Sequence, residues 1–128
     1  NPHLIPAIMK QLNDGVRTIE LGNLFPCRDY IHVKDVAEAL FSLANMKMTK
    51  SLEVANIGSG VEYSVEELVE LCAKVFGEKI EIKSVASRRR KVDRPSQLAE
   101  ISHINRICGW KPLRNLEQAL EDALEESN

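Results

Sequence analysis

Apolar residues recur at helical spacing in four stretches of this 128-residue chain and alternate in shorter runs between them. Leu4, Ile5, Ile8, Met9 and Leu12 share one face of a helix that Asp14-Gly15 stops. Residues 18–21 alternate as a short strand ending at Gly22, and a loop then runs through Pro26. Residues 30–33, Tyr-Ile-His-Val, are aromatic and β-branched and predict extended backbone. Asp35 is expected to cap the next helix, with Glu38 completing a capping box. Its buried stripe reads Val36, Ala39, Leu40, Leu43 and Ala44.

Residues 52–57 read as a buried strand that Gly58-Ser59-Gly60 breaks. Ser64 and Glu67 predict a second capping box, ahead of Val65, Leu68, Leu71, Cys72 and Val75 on one helical face. Gly77 ends that helix, and residues 79–85 alternate as a strand with Ile80, Ile82 and Val85 on one side. Residues 87–100 are polar and irregular. A short helix spans about 101–108, followed by a Gly109-Trp110-Lys111-Pro112 turn anchored by its tryptophan. Asn115 caps the last helix with Gln118, and Leu116, Ala119, Leu120, Ala123 and Leu124 face the core. The pattern predicts a small α/β domain with a few short strands and about five helices. Its strands do not follow the uninterrupted βαβ order of a complete Rossmann domain.

Length fits one domain, which at this size buries roughly two-thirds of its unfolded surface. Apolar residues at 44% and charged residues at 28% are ordinary for a water-soluble domain. A net charge of −2 argues against nonspecific nucleic-acid binding, and no apolar run approaches the ~20 residues of a membrane span. The first residues, Asn1-Pro2, lack an initiating methionine, and a piece of a longer protein is expected. Cys27, Cys72 and Cys108 lie far apart, which points to reduced thiols in the cytoplasm. His3, His32 and His103 show no metal-ligand spacing.

Three motifs invite a chemical reading. Gly58-Ser59-Gly60 precedes a helix, but a dinucleotide fingerprint needs a third glycine where Tyr63 stands. The triplet is read as a strand-to-helix turn. Tyr30 and Lys34 have the spacing of a Tyr/Lys catalytic pair, which works on a helix where four residues rise about 6 Å. On an extended segment four residues span roughly 13 Å, too far for the lysine to tune the phenol. The basic run of Arg88, Arg89, Arg90 and Lys91 has no interleaved aromatics. It fits a solvated loop, or a diphosphate clamp in which arginine forks meet phosphate oxygens. Arg28 is the candidate second arm, with Asp29 beside it to orient the guanidinium.

Four blocks in order resemble one family. Gly22-Asn23-Leu24 with Arg28-Asp29-Tyr30-Ile31-His32-Val33-Lys34-Asp35 is similar to a block of the extended short-chain dehydrogenases that act on nucleotide sugars. Asn56-Ile57-Gly58-Ser59-Gly60 with Ser64-Val65-Glu66-Glu67-Leu68 resembles the next block, and Gly109-Trp110-Lys111-Pro112 with Leu116-Glu117 the last. Leu4-Ile5-Pro6 resembles the segment just after the catalytic region. The resemblance implies the smaller, C-terminal substrate-binding domain, spanning 1–128, of an NAD-dependent epimerase or dehydratase. NAD or NADP would sit in an N-terminal Rossmann domain absent from this chain. No cofactor is expected on the chain itself, which alone is expected to be inactive.

The same resemblance implies the site residues. Arg28 contacts the diphosphate of a GDP-, UDP- or dTDP-sugar, with Arg90, ten residues before Glu100, as its partner and Arg94 as the alternative. Lys91 and Glu100 depart from the family's proline and aspartate. Nucleobase contacts come from the strand before Gly22, around Ile19 and Leu21, and Leu4 joins the substrate contacts. Asn56 is expected to be structural. Gly22-Asn23-Leu24 leans toward GDP-mannose 4,6-dehydratases. The parent is expected to be a cytoplasmic homodimer that binds neither membrane nor nucleic acid. A stand-alone nucleotide-sugar or protein-interaction module without catalysis is the alternative.

Overall fold

The computed structural model describes residues 3–47, 49–89 and 92–125. Among these, five α-helices and four short strands follow in this order: α1 Leu4–Asn13, β1 Thr18–Leu21, β2 Cys27–Asp29, α2 Val33–Asn45, β3 Glu62–Ser64, α3 Val65–Phe76, β4 Glu81–Ser84, α4 Ser102–Cys108 and α5 Leu116–Glu125. A 3-10 turn covers Ala86–Arg88. The strands form two separate pairs. β1 and β4 run parallel, with Ile19 opposite Ile82, and β2 and β3 run antiparallel, with Arg28 opposite Tyr63.

The main core lies where α1, β1, α3 and α5 meet. Ile8, Ile19 and Leu68 are fully buried there, beside Leu12, Val69, Cys72, Leu116 and Leu120. β1 exposes Thr18 and buries Ile19 and Leu21, as alternation requires. The capping box of Ser64 and Glu67 fixes the start of α3, and Gly77, at φ 65°, closes its end in the left-handed region that glycine enters without strain. The Asn115–Gln118 box starts α5, with reciprocal bonds of 3.0 and 2.9 Å. A second core gathers Ala39, Ile104 and Trp110, with Leu43, Ala55 and Ile57 against it.

Four expectations are corrected. Extended backbone ends sooner than the β-branched run suggests: β2 is Cys27–Asp29, and α2 already starts at Val33. The reason is His32, whose Nδ1 accepts from the Lys34 amide at 3.0 Å and so acts as the helix cap. Asp35 is therefore the third helical residue. Its carboxylate, fully buried, turns instead to Arg114 and the amides of Leu113 and Arg114. Glu38 likewise accepts from Arg114, at 3.1 Å, rather than from the helix start.

Residues 52–57 keep their alternation but form no strand. Ala55 and Ile57 turn to the second core, while Leu52 and Val54 are 74% and 75% exposed. Alternation reports which faces differ; a ladder also needs a neighbour, and among the described residues none is paired here. Leu40 and Ala44 leave the expected stripe. They lie with Val33, Ala37 and Phe41 on an outward apolar face of α2, where Phe41 is 71% exposed.

Candidate functional site

Two loops meet at the C-terminal end of β1. Gly22 lies so close to the 3-10 turn that a Cβ there would stand 2.2 Å from the Arg88 carbonyl oxygen. Only glycine allows that approach. Around it, Val85 donates to the Leu21 carbonyl at 2.7 Å and the Ser84 hydroxyl to the Gly22 carbonyl at 3.0 Å. Arg88 donates through Nη1 to the Glu20 carbonyl at 3.0 Å, and Arg89 reaches Ser84 Oγ through Nε and Nη2.

Beyond this contact the second loop runs beside β2. Cys27 donates to the Pro95 carbonyl at 2.8 Å, Gln97 to the Cys27 carbonyl at 3.1 Å, and Asp29 to the Gln97 carbonyl at 3.0 Å. β2 is thus paired on both edges, by β3 and by this segment, and it carries Arg28 and Asp29 between them.

The two side chains do different work. Arg28 donates through Nη1 to the carbonyls of Cys27 and Arg94, at 2.7 and 2.8 Å, and through Nη2 to Asp93 Oδ1 at 2.6 Å. Asp93 also accepts from Asn23 Nδ2 at 3.2 Å. Asp29, expected to orient the guanidinium, instead accepts from the Ser59 amide and hydroxyl at 2.8 and 2.6 Å, from Gly60 at 3.0 Å and from Ala99 at 3.2 Å. Successive strand residues point to opposite faces, so Asp29 was badly placed for that role. A cleft of about 440 Å³ opens beside them, lined by Arg28, Asp29, Asn56, Gly58 and Gln97 among others.

The other named positions fall as follows. Arg90 and Lys91 lie outside the described residues. Arg94 is exposed, and it is its carbonyl that meets Arg28. Ile19 and Leu21 bury their side chains in the main core, and Leu4 packs against that core half-buried. Asn56 donates to the Glu100 carbonyl at 3.4 Å, a tie between two loops.

Tyr30 is half-buried against the main core, and burial pushes its phenol up, with the Arg28 charge pulling the other way. Lys34 turns to Asp122 of α5 at 2.9 Å. Cys27, Cys72 and Cys108 are unpaired, and burial pushes the Cys72 thiol up to about 11, an inert thiol at neutral pH. Among the described residues no three of His, Cys, Asp and Glu group to hold a metal ion, and no helix is long and apolar enough to cross a membrane.

Asp93 and Asn23 escaped the sequence reading. The signal was slight: one acid, Asp93, set within a basic stretch between Arg88 and Arg94.

Comparison with known proteins places these features in context. A family model described as GDP-mannose 4,6 dehydratase matches residues 1–123. A probable GDP-L-fucose synthase 1 of Oryza sativa subsp. japonica is 31% identical, over 94% of this chain and 37% of its own length. A UDP-glucose 4-epimerase of Corynebacterium glutamicum is 32% identical, over 94% of this chain and 39% of its own. The crystal structure of a Stenotrophomonas maltophila UDP-glucose 4-epimerase, with bound NAD and formylated UDP-arabinopyranose, superposes with a TM-score of 0.82 at 26% identity. It covers 98% of this chain and 39% of that one. The chain therefore spans under two-fifths of the length of these relatives.

Proposed function

The chain belongs to the GDP-mannose 4,6-dehydratase family, and from that premise we propose that it grips the nucleotide diphosphate of a sugar substrate. The observation that carries this reading is the anchored Arg28, set in a cleft that the Asn56–Gly58 and Gln97–Ala99 segments line with it. A planar guanidinium held on a rigid strand can meet phosphate oxygens bidentately without first being ordered. In this reading residues 1–128 are the C-terminal substrate domain, and Arg90 or Arg94 supplies the second arm. Hydride transfer on the sugar, with NAD or NADP, belongs to a further domain of a cytoplasmic, dimeric parent. That such relatives include a structure with NAD and a UDP-sugar, a GDP-sugar synthase and a UDP-sugar epimerase supports this division.

Calorimetric titration with GDP, then UDP, tests it. Weak binding of the nucleoside diphosphate is expected, at least tenfold weaker after Arg28→Ala, about 1.4 kcal/mol or more. Equal binding by variant and wild type sinks the assignment.

The outward face of α2 supports the two-domain reading. A contiguous exposed apolar patch marks a surface that something covers, and on α2 Val33, Leu40 and Phe41 are 75%, 56% and 71% exposed. Phe41→Ser is expected to change stability by no more than about 0.5 kcal/mol in urea unfolding. A loss of several kcal/mol would instead make Phe41 part of this chain's own core.

A further inference from the structure

Arginine offers five N–H donors and accepts nothing. In Arg28, two donors on Nη1 go to the Cys27 and Arg94 carbonyls, and one on Nη2 goes to Asp93 Oδ1. Among the described residues no acceptor meets the other two, on Nε and Nη2. Those two nitrogens share one edge of the guanidinium, the edge that meets two oxygens of a phosphate side-on.

Asp93 is itself held. Its other oxygen accepts from Asn23, and its side chain is 13% exposed against 25% for that of Arg28. The Asn23 loop, the Asp93 loop and the Arg28 strand therefore converge on one carboxylate.

We infer that Asp93 is a positioning residue: backed by Asn23, it locks the Arg28 guanidinium so that its Nε/Nη2 edge stays free for a diphosphate. The inference rests on the diphosphate reading above and deepens it. Two effects of opposite sign act here. Fixing a rotamer-rich side chain in advance favours binding by roughly two- to tenfold. A carboxylate near an incoming anion disfavours it. The second effect is blunted because Asp93 is already matched by the Arg28 charge at 2.6 Å and its remaining oxygen faces an amide. Positioning therefore prevails.

Titration of the full chain with inorganic pyrophosphate, for wild type, Asp93→Ala, Asp93→Asn and Arg28→Ala, tests this. Asp93→Ala is expected to weaken binding about tenfold, and Asp93→Asn, which keeps one acceptor oxygen, about threefold. Nitrogen-15 spectra supply a readout that a merely structural residue would not move. The Arg28 Nε–H signal, identified by its loss in Arg28→Ala, should broaden in Asp93→Ala while core amide signals stay put. Binding by Asp93→Ala as tight as wild type, or tighter, overturns the inference, as does an unaltered Arg28 Nε–H signal. If Arg28→Ala abolishes binding and the Asp93 variants do not weaken it, only this inference falls. If Arg28→Ala leaves binding intact, the diphosphate reading falls and takes this one with it.

Discussion

Replacing Arg114 by alanine is expected to destabilise the fold by about 3 kcal/mol, a fall of roughly 10 °C in the calorimetric midpoint for a domain of this size. Asp35 has no exposed surface. One oxygen meets Arg114 Nη1, and the other accepts from the amides of Leu113 and Arg114 at 3.2 and 3.0 Å. Removing the guanidinium strands a carboxylate inside the protein with two amides for company. Breaking a fully buried pair costs about 3–5 kcal/mol. The Arg114 side chain is 29% exposed and two donors remain, so the low end applies.

The same variant should change the response to acid. Burial pushes the Asp35 carboxyl up, but bonds from the Arg114 amide and guanidinium and the Leu113 amide outweigh it and hold it below its ordinary value. A carboxyl depressed by folding stabilises the native state above its unfolded pKa of about 3.9, and that contribution is lost as pH falls through the folded value. Glu53, Glu67, Glu78, Glu100 and Asp122 are held low as well, so the wild-type slope below about pH 4 is shared. The difference between the two proteins isolates the pair: the Arg114→Ala slope should be flatter. An unchanged acid slope with an unchanged midpoint would mean that Asp35 does not depend on Arg114.

The helices were legible because each element carried its own local signals. The Ser64/Glu67 and Asn115/Gln118 boxes and the glycines after α1 and α3 set boundaries that the structure keeps. What was not legible lies between elements far apart in sequence. Asp35 looked like a cap because a cap acid and a buried ion-pair acid share the same place at a helix start. Only Arg114, 79 residues on, tells them apart. His32 as the cap gave no warning, since histidine is not among the favoured N-cap residues. Residues 52–57 alternate as a strand does, but pairing is a property of a neighbour, which no single segment encodes.

The candidate site divides the same way. Arg28 was singled out through its motif, and Gly22 marked the strand end. Asp93 was missed because its meaning comes from the approach of a loop to a strand 65 residues away.

Asp29→Ala is the second large effect, expected to cost about 3 kcal/mol by urea unfolding. The carboxylate joins three segments: its own strand, the Gly58–Gly60 turn and the loop at Ala99. Its removal orphans the amides of Ser59, Gly60 and Ala99. Gly60 is exposed and water replaces its bond, but Ser59 and Ala99 are half-buried, and each such loss costs about 1–3 kcal/mol. The packing is tight as well, since a Cβ on Gly58 would stand 2.7 Å from Asp29 Oδ2 and 2.3 Å from Ala99 Cβ.

Asparagine should rescue little here. Both Asp29 oxygens accept: Oδ1 from Ser59, Oδ2 from Gly60 and Ala99. An amide can accept on one side only and would turn donors toward donors on the other. The loop released at Ala99 is the same one that brings the Arg94 carbonyl and Asp93 to Arg28. The folded fraction of Asp29→Ala should therefore also bind pyrophosphate more weakly than wild type, although Asp29 itself makes no bond to Arg28. Wild-type stability in Asp29→Asn would show that the carboxylate is not what holds the three segments together. Lost stability with undiminished pyrophosphate binding would show that the Arg28 pocket is built without the Ala99 loop.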